Sequence, residues 1–206
     1  MLSRVPESTF YVLGKDTTPI RDAKGLILTP EVTLAEAPQL DLLVIPGGFG
    51  VNALMEDEEV LAFVRTQVAG ARILLSVCTG ALVCGAAGLL RGRRATTHWA
   101  SHHLLATLGA IPVQARVVRD GRLVTGGGVT VGIDFALTLL AELAGREVAE
   151  AIELNLEYAP APPFNAGRPE TAPAAAVEEV RRRLARIVEE RRLPAEAAAR
   201  KLGYGG

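Results

Sequence analysis

Short apolar runs alternate with stretches of helical spacing along this chain. TFYVLG (9–14) and LILT (26–29) predict strands, and DLLVIPGG (41–48) predicts a stronger one closed by Pro-Gly-Gly. Residues 56–69 place Val60, Leu61, Phe63, Val64 and Val68 at helical spacing behind an acidic first turn. Acids there complement the positive end of the helix dipole. ARILLSV (71–77) is apolar enough for burial on both faces, as parallel strands are. CTGALVCGAAGLL (78–90) follows without a loop and predicts a helix closing near Gly88. RATTHW (94–99) predicts a short strand, and ARVVRDGRLVTGG (115–127) a hairpin turning at Asp120-Gly121. Helices are predicted over 130–143 and 147–157. Such alternation of strand and helix predicts an α/β fold on a mostly parallel sheet.

The pattern changes after Tyr158. APAPPFNAGRPETAP holds five of the twelve prolines and should run extended over the surface. The following VEEVRRRLARIVEERR puts Val177, Val180, Leu184, Ile187 and Val188 on one face of an amphipathic helix. The expected organisation is therefore one α/β domain over 1–158. An extended segment and a helix over 159–206 follow and make no separate domain. No internal repeat is present.

Composition narrows the class. Apolar residues are 49% and charged residues 22%, a globular balance that excludes disorder of the whole chain. Lys and Arg total 22 against 23 Asp and Glu, a formal net charge of −1. That argues against a general nucleic-acid or membrane-surface binder. Two cysteines cannot build a disulfide framework, so a reducing, cytoplasmic setting is expected. The N-terminus lacks the apolar core of a signal peptide, and no apolar run approaches the roughly 18 residues of a membrane span.

Candidate chemistry concentrates at LLSVCTGA. A buried strand ends at Val77, Cys78 follows, and a helix begins within a residue or two. A side chain on such a turn projects from the carboxyl edge of the sheet, where open α/β sheets bind ligands. Unpaired N–H groups at the helix start favour thiolate over thiol, so Cys78 is the candidate nucleophile, with a buried structural cysteine as the alternative. Cys84, inside the helix, reads as a small core residue. His98 lies 20 residues after Cys78, one crossover away. It either pairs with the thiolate as a proton-exchange partner or caps a strand through its backbone. His102 and His103 follow, but no acidic or cysteine partner stands near, so metal is discounted. Gly47-Gly48 can bring backbone close to a nucleophile, and the N–H groups of Gly48 and Thr79 could form an oxyanion hole. Gly48, Gly50 and Ala53 fit G-x-G-x-x-A, yet no acid stands about 20 positions on, so a dinucleotide site is set aside. Gly126-Gly127-Gly128 could wall a pocket or serve as a plain turn before a helix.

These words together resemble the ThiJ/PfpI superfamily, and within it the bacterial isonitrile (isocyanide) hydratases. The matching stretches are LDLLVIPGGFG, VNALMEDEEVLAFVR, SVCTGALVCGAAGLLRGRRATTHWA, GAIPVQARVVRDG, TGGGVTVGIDFALTLLAELAG and LEYAPAPPFNAG. They cover about residues 1–175. The resemblance implies a flavodoxin-like fold akin to class I glutamine amidotransferases, with helices on both sheet faces. It implies Cys78 as nucleophile, backbone donors from Gly48 and Thr79, and His98 near the sulfur. It also implies a homodimer that needs no metal or organic cofactor, acts on a small molecule, and hydrates an isocyanide through a thioimidate.

One departure stands out. Similar proteins begin with a further strand and a turn bearing an Asp or Glu that lies beside the cysteine. Here Met1–Pro6 matches the end of the helix that follows that turn. A unit of roughly 25 residues is therefore missing from the match. Its strand would be internal to the sheet, and its loss leaves two strands with unpaired backbone. Three readings account for this: a start internal to a longer chain, pairing borrowed from a dimer mate, or an intact fold without hydration chemistry. The first is the expectation. A ligand-sensing domain and a glyoxal- or stress-related protein are the competing functions. A helix-turn-helix partner of roughly 100 residues does not fit in the 33 residues after Pro173 (206 − 173).

Overall fold

The structure, a computed structural model, describes residues 1–22 and 24–204. At its centre three parallel strands, β5 (Leu42–Ile45), β6 (Ile73–Val77) and β10 (Leu123–Gly126), lie side by side. β9 (Val117–Asp120) closes the far edge as an antiparallel hairpin arm, giving a four-stranded sheet in the order β5-β6-β10-β9. The hairpin register pairs Asp120 with Leu123. Its two loop residues are therefore Gly121 and Arg122, one position later than the expected Asp120-Gly121. Gly121 takes φ +61°, a value that glycine meets without strain.

Period-2 alternation sorts the strands onto two cores. Leu43, Ile45, Leu74 and Leu123 face the larger one. It is covered by α1 (Val51–Leu54), α2 (Glu58–Gly70), α3 (Gly80–Ala86), α4 (Leu104–Thr107) and the end of α7 (Ala174–Lys201). Ile73, Leu75 and Val124 face the second, filled by Val131, Phe135, Ala136 and Leu139 of α5 (Val131–Ala144). α6 (Arg146–Asn155) packs Ala149 and Ile152 onto Leu140 beside the N-terminal turn Leu2–Arg4. This is the expected α/β architecture with helices on both faces. α2 starts where its sequence dictates: Asp57 caps it, its carboxylate accepting from the N–H groups of Glu59 and Val60.

The first forty residues depart most from expectation. Of 9–14, only β1 (Leu13–Gly14) is strand, paired in parallel with β4 (Val32–Thr33) apart from the main sheet. LILT contributes only β3 (Ile27–Leu28), which forms a small exposed hairpin with β2 (Ile20–Arg21). Phe10, Ile20 and Leu26–Leu28 stay exposed because no layer covers them. Among the described residues β5 pairs on one side only, with β6. RATTHW likewise yields only β7 (Arg94–Ala95), which pairs with β8 (Ile111–Pro112) rather than joining the sheet.

The C-terminal helix is longer than its apolar pattern predicts. α7 runs 28 residues and continues through Pro194, which has no N–H to give to the Glu190 carbonyl. Its buried residues are Arg191, Pro194, Ala195, Ala198 and Ala199, so the poorly apolar end is the packed one. The expected stripe from Val177 to Val188 is only partly covered, and Val180 is exposed. Residues 159–173 carry no regular structure and lie almost wholly on the surface.

Candidate active site

Cys78 occupies the turn between β6 and α3. Its φ is +56°, left-handed backbone that a side chain with a Cβ adopts only under strain. Two bonds hold it there. The Cys78 N–H donates to the Gly126 carbonyl at 2.8 Å, and the Thr97 hydroxyl donates to the Cys78 carbonyl at 2.7 Å. The first ties the turn to the end of β10. The second ties it to the segment after β7, itself fixed where the Thr96 N–H donates to the Thr125 hydroxyl at 2.9 Å. Strain at one residue survives when its surroundings over-determine it, and such residues gather at functional sites. Cys78 is half-buried, whereas Cys84 is fully buried and its thiol is pushed up to about 12 by desolvation.

Glycines let two loops close on this turn. A Cβ at Gly47 would stand 2.7 Å from the Thr79 nitrogen and 2.8 Å from the Cys78 Cβ. One at Gly80 would overlap the Ile45 carbonyl oxygen. The Pro-Gly-Gly and Cys-Thr-Gly words of the sequence are thus two halves of one contact. The Gly48 N–H donates to the Thr79 hydroxyl at 3.1 Å. The expected pair of backbone donors is therefore not equivalent: the Gly48 N–H is engaged, whereas the Thr79 N–H has no acceptor among the described residues.

His98 lies in the same cluster, in the role of a cap. Its Nδ1 accepts from the Ala100 N–H at 3.3 Å at the start of a 3-10 turn, Trp99–Ser101. Nε2 is then the nitrogen that carries a proton in the neutral ring. Among the described residues no hydrogen bond joins it to Cys78. Burial, and next the Arg191 charge, lower its pKa from the ordinary 6.5, so the ring is neutral at neutral pH. The other histidines are not assembled with it. The His102 Nε2 lies 3.1 Å from the Val113 carbonyl, and His103 is exposed. Among the described residues no group of three His, Cys, Asp or Glu could hold a metal.

One residue of the cluster was not anticipated. Arg191 of α7 is 6% exposed, donates to the Ser101 hydroxyl at 3.1 Å and donates to the Gly48 carbonyl at 3.2 Å. A signal was present: positions 177, 180, 184, 187 and 191 continue one helical stripe, and a charge on an apolar stripe is out of place.

Comparison with known proteins gives consistent likenesses. A family model described as "DJ-1/PfpI family" matches residues 6–142. An isonitrile hydratase of Pseudomonas putida is 55% identical over 202 residues, 98% of this chain and 89% of that protein. An HTH-type transcriptional regulator of Pseudomonas aeruginosa is 32% identical over 153 residues, but these span 41% of its length. The crystal structure of a ThiJ/PfpI family protein from Pseudomonas syringae superposes with TM-score 0.85 at 42% identity, covering 92% of this chain and 77% of that one.

Proposed function

The chain belongs to the DJ-1/PfpI family, and from that premise we propose that it adds water to an isonitrile to give an N-substituted formamide, with Cys78 as nucleophile. The observation that carries this reading is the 55% identity to an isonitrile hydratase across nearly the whole chain. The site supports it. Cys78 is half-buried on a strained turn at the carboxyl edge of the sheet, a placement that suits a nucleophile better than a packed structural cysteine.

The Cys78 thiolate forms a bond to the terminal carbon of R–N≡C while that carbon takes a proton, leaving the thioimidate Cys78–S–CH=N–R. Water then adds to this carbon, the C–S bond breaks with the thiolate as leaving group, and the proton that water sheds goes to solvent, balancing the one the carbon took from solvent in the first step. The released HO–CH=N–R becomes the formamide R–NH–CHO by moving one proton from oxygen to nitrogen. The net reaction is R–NC plus H2O, with no redox change and no cofactor required. In this scheme the Thr79 N–H faces the charge that develops beside the turn, and the Thr79 hydroxyl fixes the Gly48 peptide. Neutral His98 acts as a spacer and an Nε2–H donor, not as a resident acid. The working form is taken to be a cytoplasmic homodimer, in line with the family resemblance. Among the described residues no helix is long and apolar enough to cross a membrane.

The test is formamide production from a simple alkyl isonitrile by the purified chain beside Cys78→Ala. Turnover that disappears in a folded Cys78→Ala protein is the expected result. Turnover unchanged in that variant overturns the nucleophile. Absence of turnover in the folded wild type overturns the isonitrile.

A further inference from the structure

Thr97 is a buried threonine whose hydroxyl is spent on the peptide unit between Cys78 and Thr79. It is 2% exposed and donates to the Cys78 carbonyl at 2.7 Å, across 19 residues of sequence. Its own segment is fixed one residue earlier, where the Thr96 N–H donates to the Thr125 hydroxyl at 2.9 Å. A threonine hydroxyl has one proton to give, and β-branching keeps its χ1 stiff, so that proton has one direction. The Cys78 carbonyl and the Thr79 N–H belong to the same peptide unit, and no peptide bond among the described residues is cis. In a planar trans unit the C=O and N–H point opposite ways. Holding the carbonyl therefore aims the Thr79 N–H away from Thr97 along a fixed line. Gly47 flanks the nitrogen end of the same unit. A Cβ there would stand 2.7 Å from the Thr79 nitrogen, so any side chain at 47 would crowd it.

We propose that Thr97 is a positioning residue of the site: acting through the Cys78–Thr79 peptide, its hydroxyl aims and strengthens the Thr79 N–H as the donor to charge that develops beside Cys78. A hydrogen bond accepted by a peptide carbonyl polarises the unit and makes its N–H a better donor, by about 10–30% per bond. Aim matters more than this gain. A dipole already pointed at the developing charge needs no reorientation at the moment of reaction, which is where such donors get their value. The same bond helps to hold Cys78 at φ +56°, so one hydroxyl sets both the thiol-bearing residue and the donor beside it. The inference deepens the proposed function and rests on Cys78 as the reactive group, but its test does not require the isonitrile.

The experiment compares two reactions of Cys78 in wild type, Thr97→Val, which keeps the shape without the hydroxyl, and Thr97→Ser, which keeps the hydroxyl. Acylation by p-nitrophenyl acetate passes through an oxyanion: the thiolate adds to the ester carbonyl, then p-nitrophenolate leaves. Alkylation by iodoacetamide displaces iodide and builds no oxyanion. Peptide mapping separates Cys78 from buried Cys84. In Thr97→Val the acylation-to-alkylation ratio drops about tenfold, less than the roughly 10²–10³ lost when an oxyanion donor is deleted outright. Thr97→Ser restores most of the ratio. A merely structural role, or a change in thiol exposure, moves both reactions together and leaves the ratio unchanged, which overturns the proposal. Thr97→Ser falling as far as Thr97→Val also overturns it. Should Thr97→Val fail to fold, Thr97→Ala takes its place under the same readings. The bond itself is read by triple-resonance NMR on protein labelled at the cysteine carbonyl carbon and the threonine nitrogen. Cys78–Thr79 is the only Cys–Thr step in the chain, so one signal reports this peptide. That signal shifts upfield in Thr97→Val and returns in Thr97→Ser; an unmoved signal overturns the proposal. Formamide production enters none of these readings, so inactivity on isonitriles sinks the proposed substrate alone. Cys78 reacting no faster than Cys84 sinks both.

Discussion

Strain at Cys78 makes a quantitative prediction about stability that is separate from any role in activity. At φ +56° a Cβ costs about 1–2 kcal/mol relative to glycine. Glycine gives part of this back, because its unfolded chain is freer by about 0.5–1 kcal/mol. Comparing Cys78→Gly with Cys78→Ala, rather than with wild type, cancels the loss of sulfur contacts. The net expectation is that Cys78→Gly is the more stable of the pair by about 0.5–1 kcal/mol. For a chain of 206 residues this is a rise in Tm of about 1–4 °C. Paired urea and thermal unfolding curves followed by circular dichroism measure it, with equal m-values required for a clean comparison. Both variants lack the Cys78 thiol, so its loss is common to the two and cancels in the comparison. A Cys78→Gly protein equal to or less stable than Cys78→Ala would refute the claim that the fold holds this residue against its own backbone preference. Thr97 supplies an independent check. Replacing it with Val deletes the hydroxyl that donates to the Cys78 carbonyl at 2.7 Å. Leaving that acceptor unmatched costs about 1–3 kcal/mol. The cost should be similar in the Cys78→Gly and Cys78→Ala backgrounds if Thr97 acts on the carbonyl alone, and smaller with glycine if it also restrains φ.

Two further outcomes follow from the same geometry. Gly80→Ala drives a methyl into the Ile45 carbonyl and to 2.9 Å from the Pro46 oxygen, both backbone, so it destabilises by about 3 kcal/mol or more. A Gly80→Ala protein within about 1 kcal/mol of wild type in urea would show that β5 and α3 are less closely apposed than described. His98 binds its proton less readily folded than unfolded, so unfolding takes up a proton in the interval just below pH 6.5. Stability therefore rises with pH through that interval and levels off above it. His98→Gln should flatten the slope of Tm against pH there, and an unchanged slope refutes a neutral, buried ring.

Much of the site was legible from local sequence because its key contacts are made by adjacent residues. An apolar strand running into Cys-Thr-Gly with no loop can only turn sharply at the sheet's edge, and Pro-Gly-Gly after a second strand leaves room for it. Burial periods likewise place β5, β6, α2 and α5 near their predicted limits, since each buries its own stripe. The first forty residues read as stronger strands than they are. β-propensity is expressed only when a neighbouring strand takes up the backbone groups, and TFYVLG finds a partner for only two residues.

What the chain determines by itself is the order of elements, the two faces of the sheet and the place of Cys78 on its turn. These follow from periodicity and from glycines at the few places where backbone must touch backbone. The tertiary structure alone decided the partners. It set His98 Nδ1 to cap a turn, engaged the Gly48 N–H with the Thr79 hydroxyl, and buried Arg191 more than one hundred residues from the cysteine. Sequence spacing carries no information about such a contact. A guanidinium on an apolar stripe announces a buried charge, but only packing shows what its nitrogens reach, the Ser101 hydroxyl and the Gly48 carbonyl.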